Sequence, residues 1–281
     1  LESAAFEQLA AHLRQANYSN IYVLVDEQTE QHCWPILRPV LADWSIQLLR
    51  IPAGETHKHL GTCEQIWAQL LAAGADRRSV LLNLGGGVIG DMGGFCASTF
   101  KRGMAFLPIP TTLLAPVDAS VGGKLGVNFG RVKNSVGLFE VPRGVYLHTP
   151  FFETLSPTEL RSGYAEVIKH ALIQDQYPWQ SMLPDSMATA DWDTIVTRSV
   201  AVKKQVVEQD FKEQNWRKCL NFGHTIGHAV ESLSWKTPQP LPHGYAVALG
   251  MITESYCSTA YGTLATAECD AITDYLTQWY P

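Results

Sequence analysis

Along the first 150 residues, continuous apolar runs alternate with stretches of helical period. IYVLVD (21–26), SIQLLRI (45–51), SVLLNL (79–84), MAFLPI (104–109) and VYLHT (145–149) are short and rich in branched aliphatic residues. A run that is apolar at successive positions has no wet face, so it predicts a strand buried on both sides. Between them, CEQIWAQLLAAG (63–74) spaces its apolar residues as a helix lying on such a sheet requires. This alternation predicts an α/β architecture with a parallel sheet covered by helices. Beyond residue 150 the strand-like runs stop and long helical stretches follow. The first opens with Ser156-Pro157-Thr158-Glu159, which combines an N-cap, Pro at the first helical position and a capping-box Glu. Residues 1–150 therefore read as an α/β domain and 151–281 as an all-helical one. LPDSMATADWD (183–193) reads as a long loop.

Composition narrows the partners. The 281 residues carry a formal net charge of -6, and their 21 Lys and Arg are scattered singly, so no basic stripe offers itself to nucleic acid. Anionic partners must be small and locally bound. The six cysteines form no C-x-x-C pair, which points to reduced thiols and not to a disulfide framework or a cysteine zinc site. No stretch reaches the roughly 18 continuous apolar residues of a membrane span. LESAAFEQLAAHLRQ at the N-terminus reads as an amphipathic helix lacking a signal peptide's basic and apolar regions. A cytoplasmic location is expected.

Several short stretches carry candidate chemistry. LNFGHTIGHAV (220–230) sets His224 and His228 four apart on an apolar helix, where two imidazoles share a face. No Glu follows His224, so the metalloprotease motif is absent; a metal pair and a hydrogen-bonded core pair both remain open. LLNLGGGVIGDMGGF (81–95) places Gly85, Gly87 and Gly90 after a strand and at the start of a helix, the context in which backbone amides hold a pyrophosphate. It follows the third predicted strand, and no acidic residue ends a strand some 20 positions on, so a plain tight turn is the alternative. Residues 110–137 carry Asp118, Lys124, Asn128, Lys133 and Asn134 among small residues, a setting that suits lysines binding phosphate or carboxylate. In GYAEVIKHALI (163–173), Glu166 and Lys169 share an apolar face with His170 beside them. A buried carboxylate there needs a cation, either Lys169 or a metal. With His243 at a predicted helix start, Glu166 and two of the three histidines could form a three-ligand site with an open position.

Together GGGVIGD (85–91), KRG (101–103), TTLLAPVDASVGGKLGVN (111–128), KNSVG (133–137), GYAEVIKHALI (163–173), LNFGHTIGHA (220–229) and HGYAVALGM (243–251) resemble the 3-dehydroquinate synthase family. The resemblance implies a Rossmann-like N-terminal domain, a helical C-terminal domain, NAD, and a divalent metal, zinc or cobalt. It implies conversion of 3-deoxy-D-arabino-heptulosonate 7-phosphate, a small anionic sugar phosphate, to 3-dehydroquinate and phosphate. By the resemblance the metal ligands are Glu166, His224 and His243. NAD would be held by Asp26, Gly54, Glu55, Lys58, Gly86, Gly87, Val88, Ile89, Gly90, Asp91, Thr111, Thr112, Lys124, Lys133, Phe151 and Thr154. Asp118, Lys124, Asn134, Lys169, Lys203, Arg217 and His228 match substrate-binding or catalytic positions. Arg102 matches an arginine given across a homodimer interface.

Two departures stand out: Tyr245 follows His243-Gly244 where the family commonly has Glu, and members usually continue past the equivalent of Pro281. Two rivals share the cofactors. Another sugar-phosphate cyclase would make a cyclitol, and a polyol dehydrogenase would release NADH but would have little use for so many cations. A non-catalytic nucleotide-binding module would not need the metal and lysine positions.

Overall fold

The computed structural model describes residues 2–120, 122–130 and 132–281; Leu1 of the N-terminal amphipathic stretch and Val121 of the 111–128 block lie outside the described residues. The chain divides into two compact units, Leu1–Leu155 and Ser156–Pro281.

The N-terminal unit runs α1 (Glu2–Ala16), β1 (Ile21–Val25), α2 (Glu27–His32), the single turn α3 (Trp34–Leu37), β2 (Ile46–Arg50), α4 (Leu60–Ala72), β3 (Val80–Gly85), α5 (Gly87–Thr99) and β4 (Ala105–Pro110). The four strands form a parallel sheet in the order β2-β1-β3-β4. Successive side chains leave opposite faces of a strand. Val23 and Val25 accordingly enter a core with Leu9 and Leu13 of α1, while Tyr22 and Leu24 enter another with Ile66 of α4 and Met92 of α5. Burial on both faces is why these strands read as unbroken apolar runs.

The fifth run, 145–149, forms no strand. It lies along the free edge of β4, where Arg143 N–H donates to the Phe106 carbonyl at 3.2 Å and Tyr146 N–H to the Pro108 carbonyl at 3.0 Å. Pro108 and Pro110 have no N–H to give in return, so a ladder cannot form on that edge.

Instead the unit contains an antiparallel hairpin, β5 (Lys124–Phe129) with β6 (Val132–Phe139), inside the glycine-rich 110–137 stretch. Leu125 and Val127 bury one face of it against α5. Gly94 makes room: a Cβ there would lie 2.5 Å from Leu125 Cδ2. Glycines and polar residues interrupt the alternation of these strands, which hides them in the sequence.

The C-terminal unit holds α6 (Pro157–Ile173), α7 (Trp192–Gln209), α8 (His224–Ser234), α9 (His243–Tyr261) and α10 (Thr266–Trp279), with no strand among the described residues. The α/β half followed by a helical half is the architecture that the hydrophobic pattern predicts. α6 starts at the expected capping box: Ser156 Oγ accepts from Glu159 N–H at 3.2 Å, and Ser156 N–H donates back to Glu159 Oε2 at 3.1 Å. The 183–193 stretch holds one 3-10 turn, Met187–Thr189, before Asp191 caps α7. No helix among the described residues is long and apolar enough to cross a membrane.

Candidate functional site

In the C-terminal unit the chemistry gathers on α6. Glu166 and Lys169, one turn apart, are both buried, and Lys169 Nζ donates to Glu166 Oε2. The other oxygen, Oε1, is buried with no hydrogen-bond partner among the described residues. Facing it are His224 Nε2 at 3.5 Å and His243 Nε2 at 3.8 Å. His224 opens α8 and His243 opens α9. The far nitrogen of each ring also has a neighbour: His224 Nδ1 lies 3.2 Å from the Phe222 carbonyl, and His243 Nδ1 lies 3.4 Å from Glu231 Oε2.

Helix packing brings the two histidines together. Gly250 on α9 lies against the start of α8 so closely that a Cβ there would come within 1.9 Å of the Gly223 carbonyl oxygen. α8 has no cap from its own side chains. Glu254 of α9 supplies one, accepting from Gly223 N–H at 2.8 Å and from Ile226 N–H at 3.4 Å. One turn of α9 therefore fixes where His224 begins.

The local charges match this geometry. Burial pushes the Glu166 carboxyl up, but Lys169 and the two histidines outweigh it and hold the group well below the usual carboxylate range. Burial alone would lower His243; the carboxylates of Glu166 and Glu231 reverse that and lift the imidazole to about 9. Donor atoms of Glu166, His224 and His243 all lie within 4.8 Å of one another. Nitrogen and oxygen ligands about 2.0–2.2 Å from a tetrahedral ion stand roughly 3.3–3.6 Å apart, so an unpartnered carboxylate oxygen between two imidazole nitrogens is a fitting cradle for a divalent ion.

His228, exposed one turn along α8, has its ring 5.0 Å from that of His224 and groups with Glu231 and His243 instead of with Glu166. Lys203 on α7 and Arg217 in the turn Trp216–Asn221 are buried in the same unit, and Arg217 Nη1 donates to the Phe211 carbonyl at 2.6 Å. His170 turns the other way, its Nδ1 2.7 Å from Ser199 Oγ.

In the N-terminal unit, the glycine turn joins β3 to α5, with Gly86 at the N-cap and no side chain capping the helix. Its first amides are thereby left for an anion. Thr112 packs on Gly86, where a Cβ would sit 3.0 Å from the Thr112 methyl carbon. A continuous network links four of the residues expected to bind cofactor or substrate. Lys58 Nζ donates to Asp91 Oδ2 and to Asn134 Oδ1, each at 2.6 Å; Asn134 N–H donates to Asn128 Oδ1 at 2.9 Å; Asn128 Nδ2 donates to Glu55 Oε1 at 2.9 Å. Burial raises the Asp91 carboxyl to about 6 against the pull of Lys58, with Asp118 and Glu55 adding to the rise.

Other expected residues have local contacts. Asp26 caps α2 with Thr29, Thr154 Oγ1 donates to the Phe151 carbonyl, and Ile89 is buried in the core. Gly54 has φ +104, Val88 packs on that core, and Thr111 N–H donates to the Gly85 carbonyl. Lys124 opens β5 and Lys133 lies on β6. Arg102, in the left-handed region at φ +69, lines a groove of about 720 Å³ with Arg77, Arg78 and Arg143.

Asn128, named among the candidates of 110–137 without a role, proves to be the link between Asn134 and Glu55, whereas two neighbours of these residues escape the sequence reading: Glu231 and Glu254. Both had a signal. His224, His228 and Glu231 fall at i, i+4 and i+7 on α8, and His243, Gly250 and Glu254 at i, i+7 and i+11 on α9, one face in each case.

Comparison with known proteins agrees along most of the chain. Residues 48–162 match the family described as 3-dehydroquinate synthase N-terminal, and residues 163–280 match 3-dehydroquinate synthase C-terminal. A 3-dehydroquinate synthase of Parabacteroides distasonis is 43% identical over 277 residues, covering 98% of this chain and 78% of that protein. A 2-epi-5-epi-valiolone synthase from Streptomyces hygroscopicus, solved with NAD+ and Zn2+ bound, superposes with a TM-score of 0.81 at 27% identity, covering 98% of this chain and 79% of that one. A solved 2-deoxy-scyllo-inosose synthase shares the fold with a TM-score of 0.85 at 24% identity, covering 97% and 77%.

Proposed function

Since this chain belongs to the 3-dehydroquinate synthase family, we propose that it is a lyase that converts 3-deoxy-D-arabino-heptulosonate 7-phosphate to 3-dehydroquinate and phosphate, a step toward the aromatic amino acids. The observation that carries the reading is Glu166 Oε1, buried with no hydrogen-bond partner among the described residues and facing two imidazole nitrogens. Glu166, His224 and His243 hold a divalent metal, zinc or cobalt. The glycine turn with Gly86, Gly87, Gly90 and Asp91 holds NAD, together with Asp26, Gly54, Glu55, Lys58, Val88, Ile89, Thr111, Thr112, Lys124, Lys133, Phe151 and Thr154. The uncapped start of α5 supports that assignment, because its amides suit a pyrophosphate.

When bound, NAD supplies a hydride acceptor that is regenerated in each turnover, and the metal supplies Lewis-acid polarisation of substrate hydroxyls. The chain's own residues supply the rest. Lys169 fixes the Glu166 carboxylate through Oε2 and so leaves Oε1 for the metal. Lys203 and Arg217 bring buried positive charge that suits the substrate's carboxylate and phosphate and the charge that grows as phosphate leaves. His228, at the exposed rim of α8, moves a proton during that elimination. Asp118, Lys124 and Asn134 bind and orient substrate from the 111–139 segment.

We place the protein in the cytoplasm as a homodimer in which Arg102 reaches the neighbouring subunit's site. The free cysteines are consistent with the location, and the exposed position of Arg102 with its reach to a neighbour. The direct test is phosphate release from the heptulosonate phosphate. It should require catalytic NAD, stop with a chelator and return with zinc or cobalt, and leave no standing NADH absorbance. Stoichiometric NADH would instead indicate a polyol dehydrogenase.

A further inference from the structure

α8 presents His224, His228 and Glu231 along one face, and the roles assigned above, metal ligand and proton carrier, use only the two histidines. Glu231 is buried, at 6% exposure, which is an expensive place for a carboxylate that has no task. Its Oε2 lies 3.4 Å from His243 Nδ1, while His243 Nε2 points to Glu166 Oε1 on the opposite side of the ring. A neutral imidazole carries one N–H and one lone pair, and whichever nitrogen donates decides which one can ligate. His224 is set by a backbone carbonyl, that of Phe222, whereas the neighbour of His243 Nδ1 is a side chain. The orientation of one ligand is therefore open to substitution and that of the other is not.

We propose that Glu231 is a positioning residue: its carboxylate accepts the Nδ1 hydrogen of His243 and thereby presents the Nε2 lone pair to the metal beside Glu166. The assignment rests on the reading of Glu166, His224 and His243 as the metal centre. A carboxylate in this role fixes the tautomer and makes the ligating nitrogen more basic, and losing it costs about 10–100-fold in metal affinity in comparable sites. Glu231 also stands within ligand distance of both His228 and His243, so direct ligation is the competing role. The two roles part at glutamine, which can still accept the Nδ1 hydrogen but is a poor metal ligand.

The test is zinc affinity, measured by competition with a fluorescent chelator on the purified full chain and on Glu231→Leu and Glu231→Gln. Nitrogen-15 shifts of the His243 ring are recorded in the same zinc-loaded samples. The expected result is a loss of about 10–100-fold for the leucine variant, and a loss of only a few-fold for the glutamine variant with Nδ1 still protonated and its signal shifted. Leucine at parental affinity overturns the proposal while leaving the metal centre intact. So does glutamine falling as far as leucine, which would make Glu231 a ligand. If the leucine variant does not fold, the His243 signal in Glu231→Gln decides: a shifted signal supports the contact and an unmoved one refutes it. Parent protein that binds no zinc removes the metal centre itself, and this proposal with it.

Discussion

His224 and His228 are the same residue type one turn apart, yet they meet different neighbours. His224 Nε2 faces the buried Glu166, while His228 is exposed. Their alanine variants should differ in kind. His224→Ala removes one of three donors, so purified protein should lose most of its zinc or cobalt. His228→Ala should keep its metal and turn over more slowly by about 10²–10⁴-fold, the contribution of a positioned acid–base group. Equal metal loss in both, read by elemental analysis, would refute the division of roles. Asp91 offers a separate test. Its carboxyl titrates at about 6 in the folded protein and near 3.9 in an unfolded chain, so the folded state holds the extra proton between those values. Stability should therefore fall as pH rises from about 4 to about 6, by on the order of 3 kcal/mol, and the cost should persist above that. Asp91→Asn should flatten this slope in urea melts at pH 5 and pH 7; an unchanged slope would mean that another group titrates there.

Between elements, the decisive contact is α9 against the start of α8. With a Cβ only 1.9 Å from the Gly223 oxygen, Gly250→Ala must push α8 outward. A cost of about 1–3 kcal/mol is expected, with His224 displaced from Glu166. Lower melting temperature of the metal-free protein together with weaker zinc binding is the expected pair of results. Parental values for both would show slack between the helices. Glu254→Ala tests the same junction more gently. It removes a cap from Gly223 and Ile226 and should cost about 1 kcal/mol, the usual worth of an N-cap.

Arg102 follows Lys101 in the left-handed region, a conformation that costs a non-glycine residue energy and that the surroundings must hold in place. If Arg102 serves the neighbouring subunit's site, Arg102→Ala and His224→Ala homodimers should each be nearly inactive. Mixed dimers of the two would contain one site with both residues intact, and co-expression should restore phosphate release. Failure of mixed dimers to recover activity, with dimer formation checked by sedimentation, would place Arg102 in its own subunit's site, and an active Arg102→Ala homodimer would place it outside catalysis.

Periodicity alone determined the parallel sheet and the helical second half, because burial on both faces forces continuous apolar strands and helix packing forces a 3.6-residue repeat. Local capping chemistry determined the start of α6, since Ser156, Pro157 and Glu159 make a cap from bonds within one turn. Edge pairing was not determined locally: 145–149 has strand composition, but its neighbour shows two prolines, a fact about β4 and not about the run itself. The β5–β6 hairpin hides for the converse reason, its strands being polar on one side and interrupted by Gly126 and Gly137, which face the opposite strand of the hairpin. At the site, residue types and helix phase marked Glu166, Lys169, His224 and His243 as chemistry. Only the tertiary structure divided the labour: Glu166 gives one oxygen to Lys169 and turns the other to the two histidines. That division depends on residues 58 to 77 positions apart in sequence and on a glycine contact between α8 and α9, which no one-dimensional pattern encodes.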